Sequence, residues 1–82
     1  MSLEALRDVL AADGCNKADQ VIALISVCIE DGITAGPEIL STVSGLGFNE
    51  KYVGIQLSKN AGRNPEGYLW VRTAEGPYQL HN

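Results

Sequence analysis

PEILSTVSGLGFNEKYVGIQLSKN, residues 37–60, is the stretch whose reading decides the fold. Ile39, Leu40, Val43 and Leu46 recur at helical spacing, and Gly47 then supplies a residue that takes positive φ without strain and ends the first helix. Phe48 restarts the buried pattern. Asn49 is a suitable N-cap, because its side-chain oxygen can accept from an orphan amide of the following turn, and Val53 and Leu57 come four apart on one face. Two short helices joined by a tight turn make a helix-turn-helix.

Upstream, the chain reads as two further helices. Ser2 can cap the first, with Glu4 in its opening turn and Leu3, Leu6, Val9 and Leu10 in one stripe, until Asp13-Gly14 ends it. Asn16 caps the second, with Asp19 three residues on in an approximate capping box. Ala18, Val21, Ile22, Leu24, Ile25, Cys28 and Ile29 cover so much of this helix that it is expected to be the central core element. Gly32 stops it after Glu30 and Asp31, acids placed at the end of the helix dipole that disfavours them. Ile33-Thr34 is too short for an independent strand but can add a bridge to a later hairpin, and Gly36-Pro37 suits the start of the next helix.

Downstream, residues 61–67 have turn composition and no periodicity. Tyr68 to Thr73 and Pro77 to His81, separated by Ala74-Glu75-Gly76, read as a β-hairpin with Tyr78 and Leu80 pointing inward. The facing of the first strand depends on the turn. A two-residue Glu75-Gly76 loop puts Leu69 and Val71 beside them, whereas a three-residue loop with a left-handed Gly76 puts Trp70 there. Glu75 disfavours the positive φ of the shorter loop, and total burial favours it.

At 82 residues the chain makes one domain, able to bury roughly 60% of its unfolded surface. The apolar run from Val21 to Ile29 is broken by Ser26 and is far too short to span a bilayer, and Met1-Ser2-Leu3-Glu4 lacks the basic start and apolar stretch of a signal peptide. A cytoplasmic protein is therefore expected, with Cys15 and Cys28 as free thiols. His81 is the single histidine and no C-x-x-C spacing occurs, so neither a metal nor another cofactor is expected. No histidine neighbours a serine or cysteine, and no glycine-rich phosphate loop or convincing acid pair is present, which argues against an enzyme.

The net charge of −4 opposes a nucleic-acid partner, but it is unevenly distributed. Residues 1–40 carry Arg7 and Lys17 against seven acids, for −5, whereas residues 41–82 carry Lys51, Lys59, Arg63 and Arg72 against Glu50, Glu66 and Glu75, for +1.

The order helix, helix, short β, helix, turn, helix, hairpin resembles the winged helix-turn-helix superfamily over about residues 17–81. Ile39-Leu40, Leu46-Gly47-Phe48, Val53 and the wing from Tyr68 to Leu80 carry the resemblance. The chain departs from the pattern in having Val43 where a small residue is common, and in its acidic balance. The resemblance implies a mostly α fold with a small β-hairpin: residues 1–14 form an accessory N-terminal helix, 37–60 the helix-turn-helix and 67–81 the wing. It also implies a small DNA-binding transcription regulator that reads double-stranded DNA with the 50–60 helix and the wing.

With Val53 and Leu57 inward, a 100° step per residue puts Lys51, Tyr52, Ile55, Ser58 and Lys59 outward, with Gln56 flanking them. Lysines at the two ends could reach phosphates, Ser58 and Gln56 could reach base edges, and Ile55 could meet a thymine methyl group. Arg63 and Arg72 stand where a winged domain would touch neighbouring backbone. Gly54 weakens its helix by roughly 1 kcal/mol relative to alanine, so close approach of the preceding helix, or of a ligand, is expected there. A homodimer through the N-terminal helix is a further expectation. The alternative function is a protein–protein interaction module of the same fold, in which the acidic first half together with Tyr52, Ile55 and Trp70 forms a binding surface.

Overall fold

A computed structural model of the protein describes residues 2–81. Four helices precede a two-stranded antiparallel hairpin: α1 (Leu3–Ala12), α2 (Lys17–Glu30), α3 (Gly36–Ser44), α4 (Glu50–Lys59), β1 (Trp70–Arg72) and β2 (Tyr78–Leu80). Mostly α with a small β-hairpin is thus the observed class. No helix among the described residues is long and apolar enough to cross a membrane.

Three helix starts use the caps that their sequences supply. Ser2 Oγ accepts from the Ala5 amide at 3.1 Å, Asn16 Oδ1 from Asp19 at 2.8 Å and Asn49 Oδ1 from Tyr52 at 3.2 Å, each satisfying an amide with no intrahelical partner. The start of α3 instead has Ala35 at the cap position and Pro37 in the first turn. This helix ends at Ser44, so Leu46 lies in the turn rather than in the helix, and the chain reverses through Gly47 at φ +106°.

The core is built around α2, from which Val21, Leu24, Ile25, Cys28 and Ile29 are buried against Ile39 and Val43 of α3, Val53 and Leu57 of α4, and Trp70 of β1. Ile22, Leu40, Leu46, Phe48, Tyr78 and Leu80 pack around that centre partly exposed. Burial pushes the Cys28 thiol above its ordinary pKa, with the Asp31 charge adding to the effect, so this sulfur is a poor nucleophile.

From α1, Leu3 and Leu6 pack on this same core, while Val9 stays 46% exposed. Arg7 ties the helix down by donating from Nη1 to the Leu46 carbonyl at 2.8 Å.

The hairpin takes the three-residue loop. Thr73 N–H donates to the Pro77 carbonyl at 2.8 Å and Gly76 N–H to the Thr73 carbonyl at 3.0 Å, with Gly76 at φ +110°. Trp70 consequently faces Leu80 and Arg72 faces Tyr78, and Trp70 is 0% exposed whereas Leu69 lies outside. The competing argument from total burial fails because it counted aliphatic residues and overlooked a polar match. The Trp70 indole Nε1–H donates at 2.8 Å to the carbonyl of Leu57, one of the last-turn carbonyls of α4 that has no helical donor.

Ile33-Thr34 contributes one hydrogen bond rather than a strand, from Tyr78 N–H to the Thr34 carbonyl at 2.8 Å. A parallel bridge from Ala61 to Trp70, which the sequence did not suggest, joins the end of α4 to the hairpin. Close by, His81 Nε2 lies 2.6 Å from the Gly62 carbonyl, and a Cβ at Gly62 would overlap the Tyr68 ring, so any larger residue there requires that ring to move.

Candidate nucleic-acid interface

The outward face of α4 follows from its inward one. Val53 and Leu57 are buried, so the opposite side presents Lys51, Ile55, Ser58 and Lys59, all exposed, with Ile55 at 51%. The lysines have no ion-pair partner among the described residues, where the one salt bridge joins Arg7 to Asp8 at 3.2 Å.

Tyr52 is only half-exposed, because part of its ring packs on the core, and Lys17 Nζ stands 5.9 Å from the ring centroid. This draws a lysine from α2 toward the start of α4. Lys17 was not among the residues expected here, since its position depends on how two helices meet.

Gln56 is the exception on this helix. At 8% exposed it is buried, which corrects its placement beside the base-reading residues. The spacing contains the reason: positions 53, 56, 57 and 60 form the i, i+3, i+4, i+7 stripe of a helix, and Asn60 Nδ2 donates to the Gln56 carbonyl at 2.9 Å on that stripe.

Arg63 is exposed in the loop after α4. Arg72 is exposed on β1, its Nε donating to the Gly76 carbonyl over a long 3.4 Å. Between the first turn of α3, the middle of α4 and the hairpin turn lies a groove of about 600 Å³, and both Ser58 and Arg72 line it. Helix and hairpin therefore share a surface at Ser58 and Arg72, while Lys51 and Ile55 lie further toward the start of α4.

Gly54 also lines this groove, and its role differs from the expected close packing of helices. A Cβ there would meet Leu40 Cδ2 of α3 at 3.5 Å, an ordinary van der Waals distance, so the approach of α3 does not require glycine.

No family model, curated protein or solved structure matches the chain. The arguments for its function accordingly rest on its own residues.

Proposed function

We propose that this is a small DNA-binding protein, a transcription regulator of the winged helix-turn-helix type, that lays the outer face of α4 on a duplex and sets the hairpin against neighbouring backbone. One observation carries this reading: Ser58, exposed on α4, and Arg72 of β1 border the same groove, so that helix and hairpin offer a shared surface there. Exposed lysines that pair with no acid among the described residues suit phosphates, and Ser58 and Ile55 suit base edges. With Gln56 buried, sequence preference falls to those two residues and to Tyr52.

The net charge of −4 limits the affinity. Lys51, Lys59, Arg63 and Arg72 can neutralise at most four phosphates, so the salt slope is no steeper than about −3.6 per protomer at about 0.9 per contact. Fluorescence anisotropy of a labelled duplex pool, titrated across ionic strength, measures that slope. Lys51→Ala and Lys59→Ala are each expected to weaken binding to all sequences and to flatten the slope by about 0.9. Absence of duplex binding at low salt overturns the proposal.

A second copy would supply a second half-site. Val9 is the large apolar residue that α1 leaves exposed for such a contact, so Val9→Glu in sedimentation tests the dimer, and a wild type that stays monomeric at high concentration refutes it. The reading as a protein-interaction module draws its support from Tyr68 and Leu69, adjacent at the entrance to the hairpin and 41% and 46% exposed. It takes precedence if no duplex binds and Tyr68→Ser with Leu69→Ser abolishes capture of a purified partner.

A further inference from the structure

The groove between α3, α4 and the hairpin turn has three features that the fold does not require. The first is its size. The groove is open to solvent on one side and holds about 600 Å³, within the usual range for small-molecule sites. Its walls are mostly apolar, with Pro37, Leu40, Leu57, Pro77 and Tyr78 among them.

The second feature is Gly54. A glycine inside a helix costs about 1 kcal/mol against alanine, and a Cβ at this position would find ordinary contact distance to Leu40. Glycine thus weakens α4 with no steric demand from the neighbouring helix. A side chain here would project into the groove, and its absence keeps the groove open.

The third feature is Arg72 at the rim. Its Nε reaches Gly76 through one long hydrogen bond, and among the described residues neither Nη donates to an acceptor and no carboxylate pairs with it. A guanidinium with its fork unoccupied beside an apolar cavity matches a carboxylate attached to an apolar body. Glu75 also lines the groove and opposes a second negative charge.

We infer that this groove binds a small apolar monocarboxylate, with an aromatic or branched body against Leu40, Leu57, Pro37 and Tyr78 and its carboxylate on Arg72. The inference goes beyond the DNA-binding reading and does not depend on it, because no nucleic acid enters the test.

The test is an NMR titration of the intact protein with 3-phenylpropionate and, separately, with the uncharged 3-phenylpropionamide. The carboxylate is expected to shift the amides of Gly36, Gly54 and Gly76 saturably and to bind about tenfold more tightly than the amide, since one charge-assisted hydrogen-bonded pair separates the two probes. Arg72→Gln should remove that preference, and Glu75→Gln should strengthen carboxylate binding alone, by a few-fold. Gly54→Leu should abolish binding of both probes with a dispersed spectrum retained. Should that variant fail to fold, Gly54→Ala is expected to weaken both probes while raising the melting temperature. Shifts that do not saturate, equal affinity for the two probes, or binding unaffected by substitution at Gly54 would each overturn the inference.

Discussion

Helices α2 and α4 both open on an asparagine cap, yet they use their residues in opposite ways. Helix α2 buries Val21, Leu24, Ile25, Cys28 and Ile29 and touches α1, α3, α4 and β2. Helix α4 buries Val53, Gln56 and Leu57 and carries a glycine in its middle. Most helical stability in proteins comes from packing of the apolar face rather than from intrinsic propensity, so α2 holds the domain together and α4 is held by it. The composition of α2 is therefore dictated by the fold. On α4 the fold leaves Lys51, Ile55, Ser58 and Lys59 free to be set by whatever the protein meets.

The contrast can be broken most forcefully in α2. Ile25→Ala is expected to cost about 2 to 5 kcal/mol in chemical denaturation, from lost transfer energy and the cavity left in a fully buried site. A cost below about 0.5 kcal/mol, the range of ordinary surface changes, would mean that α2 is not the central element.

The next effect lies where α4 meets the hairpin. Trp70→Phe keeps an aromatic ring in the core but leaves the Leu57 carbonyl without its donor, a loss of about 1 to 3 kcal/mol by the same measurement. Smaller and opposite in sign is Gly54→Ala, expected to stabilise by up to about 1 kcal/mol because the added methyl meets only ordinary contact. Destabilisation there would show that α3 and α4 need the glycine after all. The smallest effect is expected on the outward face: Lys51→Ala should alter stability by less than about 0.5 kcal/mol.

What could be seen in advance follows the same division. All four helices were legible, because Ser2, Asn16 and Asn49 are caps whose use is local and because Val21, Leu24, Ile25 and Cys28 repeat with an unmistakable period. The facing of β1 was not legible. Two rules disagreed over Glu75-Gly76, and the tie is broken by a hydrogen bond between Trp70 and Leu57, thirteen residues apart. Gln56 was misplaced because a polar residue on a helix flank carries a weak signal, although its spacing from Val53 and Asn60 pointed inward. Of the eight residues expected at the DNA-binding site, Lys51, Ile55, Ser58, Lys59, Arg63 and Arg72 are exposed and Tyr52 is half-exposed. The groove itself could not be read from any one segment, since α3, α4 and the hairpin turn each supply a wall.

Trp70 also equips the protein with an optical probe of its own. It is the chain's one tryptophan, it is wholly enclosed, and its ring nitrogen is fixed to the end of α4. Fluorescence selectively excited in this indole should therefore emit at shorter wavelength than that of a solvated one, and separation of the hairpin from α4 should move the emission to the red. Stopped-flow mixing could follow that step in unlabelled protein, timing the docking of residues 70–80 against the collapse of the helices.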